Sequence, residues 1–218
     1  GLDNTKFFNR FVARRELTNY FPKEIRRADE SRFDLQTKFW LGTVSELHQN
    51  KGLDILIEAF ANVVRKMLNS SLGWSLVLVI IGEGEERSKL QKLIRDKRLE
   101  GRIFLLGQVP EARNYLKAFD IFTLTSRTEA LPYAAIEAGA AGIPVIASEI
   151  GGLSEIIPGP EFGILTPPEN IKEVEKSLLY MLKKPEYRKL AASNLKKHVR
   201  ENFSLKKMAA ETIELYQR

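Results

Sequence analysis

Among the 218 residues of this chain, a few could do chemistry by type and spacing: Glu129 and Glu137, the pair Lys51-Gly52, and the glycine turns Gly82-Glu83-Gly84 and Gly107-Gln108-Val109-Pro110. Glu137 stands in a small, apolar stretch (Ala134, Ala135, Ile136, Ala138, Gly139, Ala140, Ala141), where a buried charge is costly unless paired or hydrogen-bonded. A carboxylate there is suited to accept both hydroxyls of a ribose. Glu129 lies just before that helix and can reach sugar hydroxyls, although the helix dipole alone accounts for an acid at such a place. Lys51 stands at the mouth of an amphipathic helix. A lysine there can meet phosphate as a point charge while helix N–H groups add donors, and a surface lysine fits the same pattern. Gly82-Glu83-Gly84-Glu85-Glu86-Arg87 resembles the start of a dinucleotide fingerprint, but Arg87 stands where the third glycine belongs and the turn does not follow the first strand. It reads better as a strand-to-helix turn that lets backbone approach a ligand. The turn at Gly107 could present backbone groups to a base edge, or be an ordinary turn.

The elements that must position these residues alternate between strand and helix from residue 37 onward. Strands are expected at 38–41, 76–81, 103–106, 121–124, 144–147 and 162–165. The run from Leu76 to Ile81 is uninterrupted Leu, Val and Ile, as a strand buried on both faces requires. A helical stripe runs through Leu53, Leu56, Ile57, Phe60, Val63, Val64 and Met67. Further helices are expected after Gly84, from Pro110-Glu111, from about Pro132 to Ala141, and from near Ile171, Pro185 and Ser204. Alternating βα units imply an α/β fold: a Rossmann-like, doubly wound parallel sheet of about six strands with helices on both faces. Ligands of such sheets bind beyond the carboxyl ends of the strands, where the strand order reverses. Residues 1–36 read as a linker and lead-in helix, and 37–218 as the binding domain with its C-terminal helices.

Composition narrows the function classes. With no cysteine, the chain has no disulfide, thiol nucleophile or cysteine zinc site, and a cytoplasmic protein is the simple reading. The net charge of +6 is concentrated late, at Lys183, Lys184, Arg188, Lys189, Lys196, Lys197, Arg200, Lys206 and Lys207. These residues alternate with apolar ones at helical spacing, as solvated helix faces do. No aromatic-plus-basic signature points to nucleic acid. A peripheral contact with the inner face of a membrane stays open.

Taken together, the loops resemble glycosyltransferase family 4, a group of GT-B architecture. The stretches that carry the resemblance are Glu46-Leu47-x-x-x-Lys51-Gly52, Ile80-Ile81-Gly82-Glu83-Gly84, Leu106-Gly107-Gln108-Val109-Pro110, the Glu129-x7-Glu137 block, Gly142-Ile143-Pro144-Val145-Ile146-Ala147 and Gly151-Gly152-Leu153-Ser154-Glu155. Gly1-Leu2-Asp3 resembles the Gly-x-Asp that opens the C-terminal half of such enzymes, so the acceptor-binding N-terminal domain is expected to be absent. The resemblance implies a nucleotide-diphospho-sugar donor, retention at the anomeric carbon, and neither metal nor cofactor. It also implies roles. Lys51 would contact the diphosphate and Glu129 the transferred sugar, both as catalytic residues. Glu137 would hold the ribose, the amides of Leu131 and Tyr133 the phosphates, and Gly107, Val109 and Gly82 would lie against the base. Pro132 has no N–H to contribute.

One position departs from the family. Glu46 stands where an arginine usually contacts the diphosphate. At an effective dielectric near 20, a carboxylate about 4 Å from phosphate is repelled by roughly 4 kcal/mol. Glu46 is therefore expected to point away, with Arg127 available to compensate. A catalytically degenerate nucleotide-sugar-binding domain is one alternative. A different GT-B enzyme, such as a sugar-nucleotide epimerase, is another.

Overall fold

The computed structural model describes residues 6–27, 35–67 and 75–216. Six strands form one parallel sheet: β1 (Phe39–Val44), β2 (Leu76–Ile81), β3 (Ile103–Gly107), β4 (Ile121–Leu124), β5 (Val145–Ser148) and β6 (Ile164–Thr166), in the order β3-β2-β1-β4-β5-β6. The chain winds outward in one direction from β1 to β3 and in the other from β4 to β6. The reversal therefore falls between β1 and β4.

Strand periodicity decides which helices cover which face. In β2, Leu76, Leu78 and Ile80 enter one core, and Val77, Val79 and Ile81 the other. The first core is closed by α3 (Leu53–Met67), α4 (Arg87–Asp96) and α7 (Ile171–Lys183). The second is closed by α1 (Arg10–Thr18), the 3₁₀ segment Ala112–Ala118, α5 (Tyr133–Ala141), α6 (Leu153–Ile156) and α8 (Pro185–Asn202). Every residue of β2 is buried, and each such aliphatic side chain contributes about 1.5–3 kcal/mol. A short α2 (Lys23–Arg27) follows α1, and α9 (Leu205–Tyr216) ends the described chain.

The lead-in helix is fastened to the sheet by a buried ion pair. The guanidinium of Arg14 is fully buried; it donates to the carbonyls of Ala118, Gln36 and Lys38 and to Asp120, and its carbon lies 4.8 Å from the Trp40 ring centre. Asp120 also accepts the Trp40 amide at 2.8 Å and pairs with Arg10 at 2.8 Å. The charge is thus neutralised and hydrogen-bonded, as burial requires. These contacts grip β1 and β4 at the ends opposite the site loops.

Several boundaries differ from the sequence expectation. β1 runs on through Gly42, Thr43 and Val44, which pair with Val79, Ile80 and Ile81. Gly42 is needed there, because a Cβ would sit 2.2 Å from the Phe119 ring. The segment after Pro110 is a 3₁₀ helix that starts at Ala112, preceded by Glu111 in the left-handed region. β6 starts at Ile164 instead of 162, and Phe162 packs against the His198 ring at a tilt, with centres 5.2 Å apart. The four-residue α6 was not anticipated. The Gly1-Leu2-Asp3 opening lies outside the described residues. Among the described residues no helix is long and apolar enough to cross a membrane.

Candidate active site

The loops after β1 and β4 meet at the reversal point and are bolted together by backbone. Gly52 closes a short 3₁₀ turn, Gln49–Lys51, with φ 58°. A Cβ there would lie 2.0 Å from the Thr125 carbonyl oxygen, so only glycine permits the approach. The Thr125 hydroxyl donates to the Gly52 carbonyl at 2.8 Å, and the Arg127 amide to Asn50 at 2.7 Å.

This docking brings Lys51 to Glu129. Lys51 Nζ donates to Glu129 Oε1 at 2.8 Å, and the Ser126 hydroxyl donates to the same oxygen at 2.8 Å. Both side chains are largely shielded, with 27% of Lys51 and 12% of Glu129 exposed. The loop after β5 supports the strip from behind: the Gly152 amide donates to Ala130 at 2.7 Å.

Next to this pair lies the start of α5. Its N-cap is Pro132, with no side-chain cap and no acid in the first turn. Among the described residues, the amides of Leu131, Tyr133 and Ala134 have no acceptor. Leu131 and Tyr133 are exposed. Open N–H groups at a helix N-terminus beside a lysine form a place for an anion.

Glu137 lies on α5, one turn further in, and is half-buried. Burial pushes its carboxyl above the usual carboxylate range, with Arg113 pulling it back down and Glu111 adding to the rise. Arg113 and Glu111 follow the Gly107 turn, so Glu137 faces the segment that leads from β3. Gly82 bridges to Gly107 there, its amide donating to the Gly107 carbonyl at 2.9 Å. A Cβ on Gly82 (φ 145°) would meet the Ser45 carbonyl at 1.9 Å, which ties this turn to the loop after β1. Val109, beyond the turn, is buried. The expected residues thus form two neighbouring groups: Lys51, Glu129 and the α5 amides at the reversal point, and Gly82, Gly107, Val109 and Glu137 towards β3.

Arg127 does not stand free to compensate for Glu46, as the sequence reading allowed. It forms a bidentate pair with Asp54 (3.0 and 2.8 Å), donates to Glu169 at 2.8 Å and reaches the Gln49 carbonyl at 2.6 Å. Its hydrogen bonds to Asp54, with those to Glu169, push its pKa up. Burial raises the Asp54 carboxyl, but the arginine outweighs it and holds Asp54 below its ordinary value. Glu46 itself is exposed.

Sequence reasoning missed a groove of about 550 Å³ bordered by Leu131, Tyr133 and Ile136 on one side and by His198, Phe203 and Met208 on the other. Lys51, Glu129 and Glu137 do not line it. Besides Met208, α9 exposes Leu205, Ile213 and Tyr216. No cluster of His, Asp or Glu among the described residues is placed to hold a metal.

Known proteins resemble this chain in sequence and fold. An uncharacterized glycosyltransferase of Methanocaldococcus jannaschii is 30% identical over 79% of the chain and 43% of its own length. The poly(ribitol-phosphate) alpha-N-acetylglucosaminyltransferase of Staphylococcus aureus is 28% identical over 83% of the chain and 36% of its own length. The chain thus spans less than half the length of these curated relatives. Among solved structures, S. aureus TarM, in complex with UDP and alpha-GlcNAc-glycerol, superposes with a TM-score of 0.75 at 26% identity, over 84% of this chain and 36% of TarM. The C-terminal domain of a glycosyl transferase group 1 protein from Francisella tularensis superposes with a TM-score of 0.75 at 21% identity, over 94% of this chain and 98% of that domain. The fold is therefore that of the C-terminal half of a GT-B glycosyltransferase. The sequence profile of the group matches residues 26–198, and the chain belongs to the family of glycosyl transferases group 1.

Proposed function

We propose that this chain is the donor-binding half of a retaining glycosyltransferase of family 4, taking a nucleotide-diphospho-sugar and working with an acceptor-binding domain that lies outside it. The observation that carries the reading is the Lys51–Glu129 contact beside the open amides of α5, at the point where the strand order reverses. A lysine and three free N–H groups offer positive potential for a diphosphate. The UDP present in the TarM complex is of that class. In transfer, the bond from the anomeric carbon to the diphosphate oxygen breaks and the electron pair leaves with that oxygen, while the acceptor hydroxyl oxygen bonds to the same face of the anomeric carbon and its proton passes to the departing diphosphate. Lys51 and the helix amides meet the charge as it develops, which is electrostatic stabilisation supplied by the chain itself. Glu129 is left facing the sugar, and Glu137 accepts the ribose hydroxyls, with the base towards Gly107 and Gly82.

Calorimetry with UDP, GDP and ADP tests this. At least one should bind, and Glu137→Ala should weaken binding more than Glu129→Ala, because the ribose is common to every donor. Equal losses in the two variants would refute the assignment of roles. The chain alone is expected to bind donor without transferring sugar, since positioning the acceptor contributes about 7–11 kcal/mol of barrier lowering.

A further inference from the structure

We infer that Arg127 is a positioning residue that sets Lys51 and Glu129 for the diphosphate, an inference that rests on the function proposed above. Arg127 touches neither of them, yet it holds the chain on both sides. Its amide and its Nη1 bond the Asn50 and Gln49 carbonyls, which belong to the 3₁₀ turn that carries Lys51. Its fork grips Asp54, in the first turn of α3, so that turn is fixed from its far end as well. Its Nε bonds Glu169, which lies between β6 and α7 in the left-handed region at φ 59°. In its own loop, the preceding residue Ser126 donates to Glu129.

One guanidinium therefore ties three loops together. Each of the two site residues lies within two positions of an atom or chain that it holds. A planar fork with donors in fixed directions can make these bonds together; a lysine cannot. None of its partners belongs to either hydrophobic core, so its loss should loosen the site loops and leave the fold in place. The arginine nearest Glu129 in sequence thus builds the anion site without binding the anion.

The test compares a nucleoside with its diphosphate: uridine against UDP, guanosine against GDP, and adenosine against ADP, by calorimetry. Arg127→Ala should lower diphosphate affinity about tenfold while nucleoside affinity stays unchanged, since misplacing a charged group loses only the contacts that group makes. Arg127→Lys should recover part of the loss. Combined with Lys51→Ala, it should add little, because residues acting through one another are not additive. Equal losses for nucleoside and diphosphate, or fully additive effects with Lys51→Ala, would overturn the inference. If Arg127→Ala does not fold, Asp54→Asn removes half of the bidentate grip and should show the same selective loss. A wild-type chain that binds no nucleoside diphosphate would sink the proposed function instead. The positioning role then stands or falls on urea unfolding: the Lys51–Glu129 coupling energy from a double-mutant cycle should vanish in the Arg127→Ala background, and its persistence would refute the role.

Discussion

Replacing Lys51 and replacing Glu129 should move nucleoside diphosphate affinity in opposite directions. Lys51 Nζ is 2.8 Å from a carboxylate oxygen, so an arriving diphosphate must share the lysine or displace Glu129 from it. Lys51→Ala removes a charge-assisted contact to phosphate, about 1.5–3 kcal/mol. That corresponds to roughly 10- to 150-fold in dissociation constant. Glu129→Gln keeps an acceptor for Ser126 but removes the competing charge. The pair is shielded without being sealed, so the competition is worth about 1 kcal/mol, near the upper end for ion pairs that water can reach. The glutamine variant should therefore bind the diphosphate up to about fivefold more tightly. The gain should shrink as salt is raised. Calorimetry with UDP or GDP at two ionic strengths measures both signs. A loss for Glu129→Gln comparable to that for Lys51→Ala would show that Glu129 holds the diphosphate site together, and the competition argument would fail.

Glu137 has its carboxyl raised by burial, so the folded chain holds that proton more tightly than the unfolded chain does. Its ionised form thus costs stability at neutral pH, and the cost shrinks as pH falls through the raised value and is gone below the ordinary one. Glu137→Gln should raise the urea midpoint at neutral pH and leave it unchanged in acid, whereas nucleoside affinity in the parent chain should weaken as the carboxyl protonates. Asp120→Ala should cost about 3–5 kcal/mol in urea unfolding, since it removes a carboxylate that pairs with the fully buried Arg14 guanidinium. A cost below about 1 kcal/mol would mean that water reaches the guanidinium. Glu46→Arg should leave nucleoside diphosphate binding unchanged or improve it, and abolished binding would show Glu46 to be a ligand residue.

How much of this was legible in the sequence depends on how local the cause is. β2 begins and ends where its run of Leu, Val and Ile does, as a strand buried on both faces requires. β4 (Ile121-Phe122-Thr123-Leu124) departs from such a run only at Thr123, whose hydroxyl donates to the Gly42 carbonyl. The starts of α7 and α8 were as plain, with a capping Asn170 and a first-turn Pro185. β1 reads short in the sequence because Gly42 and Thr43 look like loop; pairing with Val79 and Ile80 of β2 makes them strand, and a ring from Phe119, far along the chain, requires the glycine. The four residues of α6 are too few to show a period. Lys51 and Glu129 could each be named from the sequence, but their contact is a distance across 78 residues, which only the fold supplies. Arg14 was missed for a related reason. Arginine on a short helix reads as surface, and only Asp120 and the carbonyls around it make its burial tolerable.

The strand order also acts as a ruler. Neighbouring strands are about 4.8 Å apart, so the turn after β3 lies roughly 14 Å from the loop after β4, three strand steps away. On the proposed reading, a base seated at Gly107 and a sugar facing Glu129 are held at a separation that the sheet sets and no side chain can adjust. A sugar 1-phosphate spans only one end of that gauge. The chain would then select its donor by length before it reads any hydrogen bond.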